Sequence, residues 1–118
     1  MSPPLKNYLR THRKTVGLSQ KDVAFLLGKE SGSCISKFEQ SKTYPNLRTS
    51  LSYQIFFEKP VEELFAGVHN QVELQTLNRI AKLITLLERK GNSPKIIRRI
   101  NHLEEVARRI AKSNNQES

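Results

Sequence analysis

A chain of 118 residues has room for one domain, or one small domain with an extension, around a modest core. Twenty Lys and Arg against 11 Asp and Glu give a formal charge of +9, which points to an anionic partner or to solubility alone. There is no run of 18 apolar residues, residues 1–6 hold no apolar signal segment, and one cysteine cannot form an internal disulfide, so the expectation is a cytoplasmic protein in a reducing compartment with no membrane partner.

Period-two alternation is never sustained and helical spacing dominates, so the expected class is all-α. The first helix is predicted over about residues 3–16. Ser2 can cap it, Pro3 and Pro4 suit its first turn, and Leu5, Tyr8, Leu9, His12 and Val16 share a face before Gly17 stops it. Ser19 then caps a second helix with Asp22 in the capping-box position; Val23, Ala24 and Leu27 turn inward and Gly28 ends it. A third helix opens near residues 31–33 and runs to about Gln40, with Ile35 and Phe38 as its core residues. Residues 41–46 read as a loop, because Pro45 breaks and Asn46 caps. A fourth helix follows from Leu47 to about Phe57. Lys59-Pro60 starts a short fifth, Val61 to Phe65, closed by Ala66-Gly67.

After Gly67 the pattern changes. Val72, Leu77, Ile80, Ala81, Ile84 and Leu87 form one long apolar stripe, and Ile96, Ile97, Ile100, Leu103, Ala107 and Ile110 form another. Gly91-Asn92-Ser93-Pro94 between them is a stop followed by a restart. The expectation is a domain over residues 1–67 and a C-terminal helical hairpin over residues 68–118, with a tail that frays from Ser113. Residues 1–67 hold 10 basic and 6 acidic residues, and residues 68–118 hold 10 and 5, so the hairpin is at least as basic as the domain before it. Two helices bury little between themselves, so the hairpin is expected to pack on the first domain, on a partner's hairpin, or on both, with dimerisation or partner contact as its favoured role. Arg98, Arg99, Arg108 and Arg109 are candidates for flanking phosphates or plain solvated surface.

Taken together, Gly17-Leu18-Ser19-Gln20, Val23-Ala24, Leu26-Leu27-Gly28, Ile35-Ser36-Lys37-Phe38-Glu39, Lys42, Pro45-Asn46-Leu47 and Val61-Glu62-Glu63-Leu64-Phe65 resemble the phage-repressor (Cro-like, XRE) family of helix-turn-helix proteins. The resemblance covers roughly residues 5–67. It implies a five-helix repressor-like domain whose second motif helix enters the major groove of double-stranded DNA, usually as a homodimer on two half-sites. The implied function is a sequence-specific transcriptional regulator of repressor type, bacterial or phage, in the cytoplasm and on the nucleoid when bound. Carried over position by position, Gln20 grips a phosphate at the start of the second helix, with Lys21 beside it. Ser31, Gly32, Ser33 and Lys37 occupy groove-facing positions, and Lys42 and Thr43 lie where the following loop touches backbone. Arg13 and Glu39 match a largely buried ion pair.

Elementary chemistry agrees with these roles. A helix N-terminus with unpaired N–H groups suits a phosphate, Lys37 can donate to guanine O6 or N7, and serines let a helix lie deep. The turn over residues 28–32 is one residue longer than the family's and carries Lys29 and Glu30. Ser41 and Glu58 stand where glycine is usual, which predicts left-handed backbone at both. Phe25 and Ile55 hold positions usually charged, which predicts an apolar cover from the hairpin or a second subunit. The alternatives are an antitoxin-like autoregulator whose hairpin binds a partner protein, and a protein-interaction module on the same scaffold. Cys34, near a helix N-terminus, reads as a small residue filling a serine or threonine position, with a redox switch as the alternative; the three histidines are far apart, and no catalytic set is present. No enzyme activity, cofactor or metal is expected.

Overall fold

The structure is a computed structural model that describes residues 6–116, with side chains to residue 113. All regular structure in these residues is helical: α1 (Leu9–Thr15), α2 (Gln20–Leu26), α3 (Ser33–Glu39), α4 (Leu47–Phe57), α5 (Val61–Leu64), α6 (Ala66–Lys90) and α7 (Pro94–Gln116). Two compact units divide between Asn70 and Gln71, within α6. No helix among the described residues is long and apolar enough to cross a membrane.

In the first unit, α1 starts at Leu9, well inside the span that apolar spacing predicts. Residues 6–8 are held out of the helix by distant backbone. The Tyr8 amide donates to the Leu64 carbonyl at 2.8 Å, and the Lys6 carbonyl accepts from Gly67 at 2.7 Å. Asn7 Oδ1 then accepts from the Leu9 amide at 3.1 Å, an Asx turn that starts the helix. The proposed Ser2 cap and Pro3-Pro4 turn lie outside the described residues. Of the expected inward face, Leu9 is buried and Val16 is exposed, while Arg13 is buried beside Leu9.

The first three helices end in the same way. Gly17 and Leu18 donate back to Lys14 and Arg13, Gly28 and Lys29 to Phe25 and Ala24, and Ser41 and Lys42 to Phe38 and Lys37. Each is a Schellman closure, which needs a left-handed residue at its turn. Gly17, Gly28 and Ser41 have φ of 79°, 72° and 57°. Serine thus adopts the left-handed backbone expected of it, and Glu58, the C-cap of α4, does so too with φ 56°. The starts of α2 and α4 follow the sequence signals: Ser19 and Asp22 form a reciprocal capping box, and Asn46 accepts from the Thr49 amide.

The core of this unit gathers Leu9, Val23, Ala24, Ile35, Tyr53, Phe57, Leu64 and Phe65, with Phe38, Phe56 and Val68 packed around them. Tyr53 is the hub. Its ring meets Phe38 and Phe65 edge-on at 6.4 and 6.3 Å, and Phe57 near-parallel at 5.7 Å. Each such side chain removed from water stabilises by about 1.5–3 kcal/mol, with up to about 1.5 more per well-placed ring pair. The Tyr53 hydroxyl is buried without a hydrogen-bond partner among the described residues, and burial, with the nearby charge of Glu39, pushes its pKa well above the ordinary phenol value.

Ala66-Gly67, expected to close α5, instead opens α6. The break falls at Phe65, whose φ of −116° leaves the helical range. Glycine at this point reads locally as a stop, but the first-turn amides of a new helix need acceptors from elsewhere, and Lys6 supplies one for Gly67.

In the second unit, Gly91 with φ 125° ends α6, Ser93 Oγ accepts from the Ile96 amide at 3.3 Å, and Pro94 opens α7, as its sequence predicts. Ile80, Leu87 and Ile110 are buried; Leu77, Ile84, Ile96, Ile100, Leu103 and Ala107 are half-buried. Val72, Ala81 and Ile97, from the expected stripes, are exposed, as are Leu83 and Leu86. The last helix runs to Gln116, with no glycine or proline after Pro94 within it to stop it.

Candidate nucleic-acid interface

The capping box at Ser19 makes Gln20 the first residue of α2. From Gly28 the chain turns through Lys29, Glu30 and Ser31 to Gly32, the N-cap of α3. A Cβ built on Gly32 would sit 3.2 Å from Gln20 Cβ, so the start of α3 is packed closely on the start of α2. Gln20 and Gly32 are thereby neighbours. Ser31 and Ser33 are exposed and joined through their hydroxyls at 2.9 Å, and Ser31 Oγ also accepts from the Ser33 amide at 3.4 Å. The N-cap position itself contributes no side-chain bond, so the residue before it meets one orphan donor of the first turn. Cys34 lies half-buried against the core, and its thiol reaches the Ser31 carbonyl at 3.5 Å.

Lys37 is exposed, one turn after Ser33 on the same face of α3. Its carbonyl accepts from the Lys42 amide at 2.9 Å and the Thr43 amide at 3.5 Å. The loop therefore folds back onto the end of α3 and presents Lys42 and Thr43, both exposed, next to that helix. Lys21 is exposed beside Gln20.

Beneath these residues Arg13 and Glu39 form a two-point ion pair, Nε to Oε2 at 2.6 Å and Nη2 to Oε1 at 3.2 Å. Their side chains are 10% and 4% exposed. Arg13 also donates to the Leu18 carbonyl at 3.1 Å, and Gln20 Nε2 donates to Glu39 Oε1 at 3.2 Å. The hydrogen bond to Glu39 raises the Arg13 pKa above its already high ordinary value. One buried carboxylate thus joins α1, the start of α2 and the end of α3, and Gln20 reaches inward to it.

Two contributors are not evident from the sequence. Asn7 caps the start of α1 through Oδ1, while its Nδ2 donates to the Phe38 carbonyl at 3.0 Å and to Ser41 Oγ at 2.8 Å. An Asn two residues before a helix is an Asx-turn signal, hidden here by the stronger helix-start signal of Pro3-Pro4. Arg10, exposed on α1, borders a polar hollow of about 300 Å³ lined also by Arg13, Gln20, Ser36, Glu39 and Gln40. Nothing in the local pattern of α1 marks Arg10 out, because its setting is made by α3.

Phe25 and Ile55 are 84% and 74% exposed in the single chain. Among the described residues no group of three His, Cys, Asp or Glu side chains is placed to hold a metal ion. In comparisons with known proteins, no family model, no curated protein and no solved structure matches the chain.

Proposed function

We propose that this protein is a sequence-specific double-stranded DNA-binding regulator of transcription, a dimeric repressor of the helix-turn-helix kind that its sequence resembles. The observation that carries the reading is the way α2 and α3 start together, with Gly32 against Gln20, while α3 exposes Ser33 and Lys37 and the loop after it exposes Lys42 and Thr43. Seven residues make a helix about 10 Å long, and small serine side chains keep it slim enough for a major groove. Lys37 donates to a guanine edge, and Gln20, Lys21, Lys42 and Thr43 hold phosphates. Most of the affinity is then electrostatic and falls with salt. The buried Arg13–Glu39 pair fixes α3 against α1 and α2.

The C-terminal unit supplies the contact that pairs two copies. Exposed Leu83, Leu86 and Ile97 on a unit of two helices support a protein contact there. The same residues suit an autoregulator whose hairpin binds a different protein. The solution mass of the pure chain separates the two: a dimer supports the first, a monomer the second.

Lys37→Ala tests the DNA reading. It is expected to cost about 1–3 kcal/mol of binding to a preferred duplex and much less on an unrelated one. Equal, small effects on both would favour a protein-interaction module.

A further inference from the structure

We infer that the groove between α6 and α7 in the C-terminal unit binds a small amphiphilic carboxylate, a medium-chain or single-ring carboxylic acid. Leu83, Leu87 and Leu103 take its apolar body, and Arg99 and His102 take its head group. The inference goes beyond the DNA-binding reading and stands on the C-terminal unit alone.

The groove has a volume of about 300 Å³, and all its lining residues belong to that unit. Leu87, 4% exposed, lies deepest. Leu103 is half-buried, and Leu83 is 44% exposed at the mouth. Leu83 and Leu87 are four residues apart on α6 and share a face, and Leu103 joins them from α7. An apolar group laid on these three leucines leaves water, and takes their surface out of water with it.

The charge of the groove decides the other end of the ligand. Arg99 and His102 are exposed, three residues apart on α7, and neither makes a hydrogen bond or ion pair among the described residues. The acids of α7 do not answer them. Glu105 is taken by Arg108 and Arg109, and neither it nor Glu104 lines the groove. Arg99 is therefore a cation without a counter-charge at the lip of an apolar surface. A guanidinium fork matches both oxygens of one carboxylate, and an imidazole keeps at least one N–H to donate. An alcohol of the same body brings no charge, and an ammonium brings the wrong one.

Size selects among anionic occupants. Pockets for small ligands run from roughly 300 to 1,000 Å³, so this groove suits a small one. Its lining residues span one turn of each helix, about 6 Å. A partner helix docks through anchors spread over two turns or more and finds room here for one. Pairing of two copies also draws on Leu83, but residues 68–118 hold 10 basic and 5 acidic residues, so a second copy brings Arg99 no net counter-charge.

The test is titration of the full chain, followed by heteronuclear NMR, with three probes that share one apolar body: octanoate, octan-1-ol and octylammonium. Octanoate is expected to saturate at one per chain and to shift the methyl signals of Leu83, Leu87 and Leu103. Octanol should bind roughly tenfold more weakly, and octylammonium more weakly still. Arg99→Gln should bring octanoate down to the level of octanol and leave octanol unchanged, a split that loss of structure would not produce. Leu83→Ser should weaken octanoate and octanol alike. Octanol binding as tightly as octanoate, or octanoate binding unchanged by Arg99→Gln, overturns the carboxylate site. No binding of any probe also overturns it. A dimer that Leu83→Ser turns into a monomer would then assign the groove to a second copy, and binding of a glutamate-rich amphipathic peptide would assign it to a partner helix.

Discussion

Asn7 and Ser41 share a hydrogen bond of 2.8 Å, from the carboxamide before α1 to the hydroxyl of the left-handed residue that closes α3. The contact explains why serine stands at a backbone position that favours glycine. Left-handed backbone costs a non-glycine residue about 1–2 kcal/mol, and a hydrogen bond returns about 1 kcal/mol. Ser41→Gly is therefore expected to leave stability within about 0.5 kcal/mol, whereas Ser41→Ala keeps the strain, loses the bond and costs about 1 kcal/mol. Asn7→Ala, which removes the α1 start and the α3 closure together, is expected to cost about 1–2 kcal/mol. Urea unfolding of the three variants checks the order.

The Arg13–Glu39 pair is expected to behave as a buried unit. Arg13→Ala or Glu39→Ala alone leaves one charge uncompensated and costs about 3–5 kcal/mol. The double variant with apolar residues, Arg13→Met with Glu39→Leu, should recover most of that loss. Equal losses in single and double variants would mean that the pair stabilises through its bonds to Leu18 and Gln20 more than through its own charge balance.

Tyr53 offers a gain. Its ring organises the aromatic core, but its buried hydroxyl has no partner among the described residues. Tyr53→Phe keeps the ring and removes an unsatisfied polar atom, so stability is expected to rise by about 1 kcal/mol. A thermal melt of the variant checks it; a fall would mean that the hydroxyl is bonded through water.

Much of the chain's local punctuation could be read in advance. Ser19 with Asp22, Gly17, Gly28, Asn46 and Gly91 through Pro94 act where their residue types indicate, because caps and turns depend on a few neighbouring atoms. The misread places depend on distant ones. Residues 6–8 look helical until Leu64 and Gly67 take their backbone groups, and Ala66-Gly67 looks like a stop until Lys6 offers an acceptor. At the candidate site, Gln20, Lys37 and Glu39 stand in motif positions that local sequence can flag. Asn7 and Arg10 sit outside the motif and take their meaning from α3, more than two dozen residues away.

Acid should weaken the first unit partly through Asp22. Hydrogen bonds from the Ser19 amide and hydroxyl hold its carboxyl below the ordinary value of 3.8. Its contribution is thus fully present above that value and is lost as the pH falls through the lower folded value. The stability difference between the parent and Asp22→Asn should be constant near neutrality and shrink at strongly acid pH. A difference that widens as the pH falls would contradict the capping-box assignment.

The central claim is that α3 reads duplex DNA from a dimer. Selection of bound sequences from a random duplex pool, with the intact protein near physiological salt, tests it most directly. The expected result is one enriched, two-fold symmetric site with half-site centres about 34–36 Å, one helical turn, apart. Salt-sensitive binding with no enriched sequence would contradict it.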